Sequence, residues 1–111
     1  MEIPQDAILL RIFIGESDRW ENGPLYQAIV LRARETHLGG ATVLRGPMGY
    51  GSHGKLHSAK IIDLSGNLPL VIEIVDTEDK VRTFADQLRE IEDLGLVTLE
   101  RVEVIHWSPK G

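Results

Sequence analysis

The chain has 111 residues, of which 42% are hydrophobic and 26% charged, a composition typical of one soluble globular domain. Its net charge of −5 and its lack of any lysine- and arginine-rich run argue against non-specific binding to nucleic acid phosphates. The absence of cysteine excludes disulfides and thiolate chemistry and agrees with a cytoplasmic protein, and the N-terminus lacks the basic region of a signal peptide.

The first half of the chain predicts a strand, a helix and a second strand. Residues 7–14 are apolar and rich in β-formers, as in a central strand. Pro24 suits the first position of a helix whose apolar residues recur at helical spacing to about His37. Gly39 is placed to cap the C-terminus of that helix, and residues 41–44 form the next strand.

The second half repeats this order of elements. Residues 70–75 predict a strand, and Asp76 or Thr77 can cap a helix with two acidic residues in its first turn. Gly95 is predicted to end the helix, and residues 96–105 form the last strand. The apolar face of the helix consists of Val81, Phe84, Ala85, Leu88 and Ile91.

The order βαββαβ predicts one α+β domain over residues 1–111, with a ferredoxin-like fold. Two right-handed βαβ units interleave into a four-stranded antiparallel sheet with both helices on one face. Residues 38–45 resemble residues 94–101 in sequence, which agrees with this pseudo-symmetry. Because three of the strands are very apolar, we expect the uncovered face of the sheet to be buried in a closed symmetric oligomer.

Residues 45–55 contain four glycines and a proline, and they match two phosphate-binding motifs in part. Gly49–Lys55 fits a P-loop, except that Leu56 follows the lysine where a hydroxyl residue would bind magnesium. A P-loop also needs a following helix and a larger parallel sheet than this chain can supply. A small nucleotide-dependent enzyme that uses Gly49–Lys55 stays open as an alternative function.

The second motif is the G-x-G-x-x-G pattern of dinucleotide-binding proteins, at Gly49, Gly51 and Gly54. A strand precedes the glycines, residues 55–64 could form a short helix, and a later strand ends in an acid at Asp76. However, the apolar residues after Lys55 do not settle on one helical face, and residues 58–64 fit a strand equally well. The simpler interpretation is a hairpin connection, although a loop as long as residues 46–67 is usually functional or disordered.

Four stretches of the chain resemble one PII-like family, a domain of unknown function related to the nitrogen-regulatory PII signalling proteins. They read I-G-E-S-D-R at Ile14–Arg19, P-L-Y at Pro24–Tyr26, A-T-V-L-R-G at Ala41–Gly46 and L-V-T-L-E-R-V-E-V-I at Leu96–Ile105. The longer stretch G-A-T-V-L-R-G-x-x-G-Y-G at Gly40–Gly51 resembles the second strand and loop base of PII proteins. The resemblance covers nearly the whole chain. It is more specific for the family than for a function.

This resemblance implies a non-enzymatic homotrimeric regulator without catalytic residues. In PII proteins a nucleotide lies in clefts between subunits, at the base of the loop after strand two. The loop then controls a partner, often a membrane transporter or an enzyme. The resemblance therefore implies a small-molecule ligand, with an adenine nucleotide as the first candidate, and a protein partner contacted by the loop at residues 46–67.

The ligand-binding residues follow from the same resemblance. By position, Gly46, Gly49 and Gly51 match the base of the PII loop, where their N–H groups could hold a phosphate. Arg45 and Lys55 could add positive charge. Before the last strand, PII proteins carry a glycine-rich phosphate-binding segment that this sequence lacks, so another small ligand in the same cleft stays open as well.

Two further groups of polar residues have both a structural and a functional interpretation. Glu16, Ser17 and Asp18 form either a turn after the first strand or a polar, ligand-binding rim of the inter-subunit cleft. His53 and His57 are either solvated loop histidines or a pair of metal ligands, for which no acidic third ligand is evident. A metal-binding module therefore remains an alternative function.

Overall fold

The computed structural model describes residues 6–58 and 67–108, which form a four-stranded antiparallel sheet with two helices on one face. The order across the sheet is β2-β3-β1-β4, so the α+β, ferredoxin-like prediction is confirmed. The elements are β1 (Asp6–Gly15), α1 (Leu25–Glu35), β2 (Thr42–Arg45), β3 (Pro69–Asp76), α2 (Glu78–Gln87) and β4 (Val97–Glu103), with a 3₁₀ turn at Leu88–Glu90.

The core lies between the sheet and the helices. Leu10 of β1 is opposite Ile74 of β3 and Leu99 of β4, and opposite residues of antiparallel strands point to the same face. From α2, Val81 and Phe84 close over this layer. The buried residues of the cluster are Ile8, Leu10, Ile12, Ile14, Leu25, Ile29, Ala33, Leu70, Ile72, Ile74, Val81, Phe84, Leu88 and Ile91.

Helix α1 ends differently from the sequence prediction. It stops at Glu35, and His37 adopts the left-handed conformation, with φ 63°. The Leu38 N–H donates to the Ala33 carbonyl oxygen at 3.1 Å, which with His37 in that conformation forms a Schellman cap. The prediction that Gly39 caps the helix was therefore wrong, because the chain has already turned two residues earlier.

Helix α2 also ends before the predicted glycine. It stops at Gln87 and continues as the 3₁₀ turn, so Gly95 does not end it. A Cβ at Gly95 would overlap the carbonyl oxygen of Phe13 in β1. The neighbouring Phe13 N–H donates to the Leu96 carbonyl oxygen at 2.8 Å. Gly95 is thus required for the close approach that brings the last strand against β1.

Two short ladders lie outside the main sheet. Arg19–Trp20 pairs with Gly23–Pro24, which makes a tight hairpin before α1. Met48–Gly49 pairs with His57–Ser58, with Gly49 opposite His57. The first part of the long connection after β2 is therefore a hairpin, which we call the loop hairpin (residues 48–58).

Candidate functional site

One end of the sheet brings together most of the predicted ligand-binding residues. There β1 and β2 end and β3 begins, so the last residue of β1 and the three that follow it (residues 15–18) lie beside both ends of the long loop. We call residues 15–18 the β1 turn. Arg45, Gly46 and Gly49 contact the β1 turn or Pro69, whereas Gly51 and Lys55 lie farther out in the loop hairpin and are exposed.

Asp18 holds the β1 turn together from within. Its Oδ2 accepts the Gly15 N–H at 2.8 Å, and its own N–H donates to the Gly15 carbonyl oxygen at 3.2 Å. The Asp18 carbonyl oxygen accepts the Leu25 N–H at 2.8 Å, which fixes the start of α1. These contacts fit the turn interpretation of Asp18, whose carboxylate is occupied by its own backbone.

The chain that returns from the loop is fastened to the same turn. Asn67 Oδ1 accepts the Ser17 N–H at 2.9 Å, and the Leu68 carbonyl oxygen accepts the Glu16 N–H at 2.8 Å. Gly15 has no room for a Cβ because the Asn67 side chain fills that space. Sequence reasoning missed Asn67, and the available signal was only a turn-forming residue shortly before an apolar strand.

Glu16 and Arg45 form an ion pair across this end of the sheet. Arg45 Nη2 lies 2.7 Å from Glu16 Oε1. The Arg45 side chain is 61% exposed and the Glu16 side chain 28% exposed, so the carboxylate is the more enclosed partner. Glu16 thus already occupies part of the planar donor fork of Arg45, a group that binds carboxylate and phosphate anions alike.

Gly46 and Gly49 pack against the ring of Pro69. A Cβ at either position would come within 3.1 Å (Gly46) or 3.0 Å (Gly49) of Pro69 Cγ. The Gly46 N–H donates to the Pro69 carbonyl oxygen at 2.8 Å, so it is already used and cannot also cradle a phosphate. At these two positions glycine permits a close approach to a proline, which differs from the expected role in phosphate binding.

Most of the loop hairpin is exposed, and it carries one lysine and several apolar side chains. Gly54, with φ 74°, donates its N–H to the Gly51 carbonyl oxygen at 2.9 Å and closes the tip. Tyr50 is 75% exposed, and Met48 and Leu56 are exposed beside it. From Arg45 to Ser58 the sequence contains no Asp or Glu, although the whole chain carries a net charge of −5.

Two features that a dinucleotide-binding site would need, a helix that begins at Lys55 and an accessible acid at Asp76, are not found among the described residues. Lys55 and Leu56 have no regular structure and lead into the strand at His57–Ser58, while residues 59–64 of the expected helix lie outside the described residues. Asp76 is fully buried, and its carboxylate accepts the N–H groups of Thr77 at 2.6 Å and Gly39 at 2.7 Å. It therefore serves the backbone and is not available to a ribose.

The two histidines considered as metal ligands both lie in the loop hairpin. His53 lies exposed in the turn of the loop hairpin, and His57 lies in its returning strand. Across residues 6–58 and 67–108, no three His, Cys, Asp or Glu side chains are grouped so as to hold a metal ion. Within the same ranges, no helix has the length and apolar character to span a membrane.

The face of the sheet opposite the helices carries both apolar and charged side chains. Its centre is a charge cluster, in which Arg11 Nε lies 2.8 Å from Glu73 Oε2 and Arg11 Nη1 lies 3.2 Å from Glu100 Oε1. The hydrogen bond to Glu73 is the main cause that raises the pKa of Arg11, so this guanidinium stays charged. We call this surface the open face. By register, its apolar residues are Ala7, Leu9, Phe13, Leu44, Val71, Val75 and Val102.

A comparison with models of protein families identifies the family of this chain. The model of the DUF190 family, described as "Uncharacterized ACR", matches residues 7–104. The chain belongs to the DUF190 family. This confirms the resemblance to an uncharacterised PII-like family that the sequence motifs indicate.

Curated relatives of this DUF190 protein carry the name UPF0166. A UPF0166 protein of Aquifex aeolicus is 42% identical over 98 residues, which cover 88% of this chain and 92% of the relative. A UPF0166 protein of Methanocaldococcus jannaschii is 35% identical over 94 residues, which cover 84% of this chain and 86% of the relative.

Solved structures similar to this DUF190 protein have PII-like folds. One is CPII, a nitrogen regulatory PII-like protein from Thiomonas intermedia, in a structure bound to ADP, AMP and bicarbonate. Its TM-score is 0.68 at 15% sequence identity, and the match covers 89% of this chain and 88% of CPII. A protein of Thermus thermophilus described as a PII-like signaling protein has a TM-score of 0.67, with 18% identity and coverage of 95% and 94%. At these identities the similarity shows the fold.

Proposed function

We propose that this DUF190 protein is a non-enzymatic PII-like regulator that binds a small anionic ligand at the base of its loop and acts on a protein partner through that loop. One observation carries the proposal. The β1 turn contacts the exposed Arg45 at one end of the loop and Asn67 and Leu68 at the other. A ligand bound there would contact the groups that position the loop.

The charge at this place supports an anionic ligand. Arg45 and Lys55 are exposed, and the stretch of chain that contains them has no carboxylate. CPII binds ADP, AMP and bicarbonate, and in another structure ADP, AMP and acetate. We therefore propose adenine nucleotides first, and bicarbonate and carboxylates second. Gly49 borders the proposed site, Gly51 lies farther out in the loop hairpin, and Glu16, Ser17 and Asp18 form the rim.

Self-association through the open face is the second part of the proposal. Phe13 and Leu44 on this face are 37% and 48% exposed, beside Val71 and Val75. Covering this apolar surface would stabilise an oligomer by the hydrophobic effect. A cytoplasmic homotrimer, as implied by the resemblance to PII proteins, would place the ligand-binding site at the clefts between subunits.

The loop hairpin is the proposed contact to a protein partner. Its exposed Met48, Tyr50 and Leu56 offer an apolar surface, and Lys55 adds a positive charge. Such a surface fits a protein with an apolar pocket and an acidic border. A membrane transporter or an enzyme would be the regulated partner.

Thermal unfolding with added ligands tests the proposed function. AMP, ADP, ATP, bicarbonate and acetate are each added at constant ionic strength, and Tm is measured for the wild type and for Arg45→Gln. A ligand at about 100 times its Kd stabilises the folded state by about 2.7 kcal/mol, enough to raise Tm by several degrees. We expect a rise in the wild type that Arg45→Gln reduces. No rise with any ligand would remove the ligand-binding part, and hydrolysis of ATP would contradict the non-enzymatic part.

A further inference from the structure

We infer that the Glu16 carboxylate is an internal competitor for the anionic ligand, so that the ion pair between Glu16 and Arg45 must open before a ligand anion binds Arg45. This inference rests on the proposed function and concerns its regulation. The Glu16–Arg45 contact is not a requirement of the fold, because backbone hydrogen bonds already hold both neighbouring segments.

The competitor is held in place by the backbone of the β1 turn. The Glu16 N–H donates to Leu68, and the Ser17 N–H donates to Asn67, so the main chain on both sides of the Glu16 side chain is fixed. Because this backbone is fixed, less conformational entropy is lost when Glu16 pairs with Arg45 than if Glu16 lay in a mobile segment. Glu16 is therefore a stronger competitor than a carboxylate of a mobile segment would be.

Glu16 contacts Arg45 in the same way as an anionic ligand would. The 2.7 Å contact between Arg45 Nη2 and Glu16 Oε1 is a charge-assisted hydrogen bond, of the kind that a phosphate or a free carboxylate would form with the same guanidinium. An incoming anion thus replaces a carboxylate that is already present. Its apparent affinity is lowered by the free energy of the pair it displaces.

The position of the pair couples this exchange to the loop. Arg45 is the last residue of β2 and directly precedes the loop, whereas Asn67 and Leu68 precede β3 at the other end. Glu16 joins the two ends, through its side chain to Arg45 and through its N–H to Leu68. When an anion binds Arg45, the end of the loop after β2 loses its side-chain contact with the β1 turn. The end before β3 keeps its backbone hydrogen bond to that turn. Ligand binding therefore changes how one end of the loop is held.

Three matched variants test the inference by calorimetric titration with ADP and, separately, with inorganic phosphate. Glu16→Gln removes the competing charge, Arg45→Gln removes the anion contact, and Glu35→Gln makes the same charge change at an exposed residue at the C-terminal end of α1. From the strength of exposed ion pairs, we expect Glu16→Gln to bind about two- to five-fold more tightly than the wild type. Arg45→Gln should bind more weakly, and Glu35→Gln should match the wild type.

Hydrogen exchange of residues 48–58 without ligand provides the second measurement. Glu16→Gln and Arg45→Gln both remove the charge attraction of the same ion pair, so both should speed exchange in the loop hairpin by a similar factor. Both variants should therefore exchange faster than the wild type, while Glu16→Gln binds the anion more tightly and Arg45→Gln binds it more weakly. Loss of structure at the β1 turn would not produce this combination.

The outcomes separate the two proposals. If the wild type binds ADP or phosphate and Glu16→Gln binds equally or more weakly, the internal competitor is refuted and the proposed ligand site stands. If Arg45→Gln binds as well as the wild type, Arg45 is not the anion contact and the inference fails. If neither the wild type nor Glu16→Gln binds either probe, both the inference and the nucleotide part of the proposed function fail.

Discussion

Asp76 Oδ2 accepts the backbone N–H of Gly39 at 2.7 Å, which ties the segment after α1 to the end of β3. The other oxygen of the same fully buried carboxylate accepts the N–H of Thr77, the residue that precedes α2. One side chain therefore satisfies donors from the chain segments beside both helices. Asp76, the acid that fitted the dinucleotide-binding pattern in the sequence, is a structural residue of this fold.

Replacing this carboxylate should destabilise the protein strongly. Asp76→Ala leaves two N–H groups without their charged acceptor, and we expect a loss of about 2–4 kcal/mol in the free energy of unfolding. Urea denaturation at one fixed protein concentration measures this loss. Asp79→Asn, an exposed change in the first turn of α2, is the control and should cost about 0.5 kcal/mol or less. Equal midpoints for the two variants would contradict the assigned role of Asp76.

Gly95→Ala should destabilise the junction between β4 and β1. The new Cβ would meet the Phe13 carbonyl oxygen, and separating these atoms should cost about 1–3 kcal/mol. Gly40→Ala is the matched control, because a Cβ at Gly40 meets nothing within 4 Å. We expect that control to unfold within about 0.5 kcal/mol of the wild type. A Gly95→Ala protein with wild-type stability would show that the strands separate there at little cost.

The glycines at the base of the loop should also differ from one another. At Gly46 and Gly49 an added Cβ presses on the Pro69 ring, whereas at Gly51 it enters open space. We expect Gly46→Ala and Gly49→Ala to speed hydrogen exchange in the loop hairpin, and Gly51→Ala to leave it unchanged. Equal effects at all three positions would favour chain flexibility over packing as the reason for these glycines.

Stability should fall with pH partly through Glu78. The hydrogen bond from Arg82 is the main cause that lowers the pKa of Glu78 below its ordinary value of 4.5, and the hydrogen bond and charge of Arg101 add to it. Because the folded-state pKa is the lower one, this stabilisation is present above the unfolded-state value and is lost as pH falls through the folded-state value. We therefore expect Glu78→Gln to lose less stability than the wild type on acidification from neutral pH.

The control for that titration is Glu92→Gln, at an exposed position after the 3₁₀ turn. It removes one carboxylate without breaking an ion pair among those described. Urea midpoints over a series of pH values should show the wild-type slope for Glu92→Gln and a smaller slope for Glu78→Gln. Identical slopes in all three proteins would refute the assignment.

A charge on the open face should prevent the proposed self-association. Phe13→Lys places an ammonium group among the apolar residues of that face, so burial against another subunit becomes unfavourable. Leu31→Lys makes the same change at an exposed position of α1, on the helical side of the sheet. Light scattering at micromolar concentration should give a lower mass for Phe13→Lys alone. A monomeric wild type would refute the proposed assembly.

The sequence predicted the fold because local patterns were enough to identify its elements. The spacing of Val81, Phe84 and Leu88 indicated one buried helical face, and these three residues are buried. The apolar, β-branched residues at 70–75 indicated a strand, and burial alternates along β3 as the pleat of a strand requires. What failed were helix ends, since glycine was taken as the stop while His37 adopted the left-handed conformation.

The site was less predictable because it depends on contacts between distant residues. Glu16 and Arg45 are 29 residues apart, and Ser17 and Asn67 are 50 apart. No local pattern indicates that Gly46 and Gly49 face a proline ring. The motif instead suggested phosphate binding, because glycines needed for packing and glycines needed for anion contact look the same in a sequence.

The attachment of both ends of the long loop to the β1 turn has a further consequence for how such proteins can diversify. The distance between the two ends is set by the scaffold, through the contact of Gly46 with Pro69 and that of Glu16 with Leu68. The entropy of closing a flexible connection rises slowly with its length, by roughly 0.6 kcal/mol for each doubling. The segment between these anchors can therefore be lengthened, shortened or replaced with little effect on the sheet. This end of the sheet could therefore hold loops of different length and sequence at the same two attachment points.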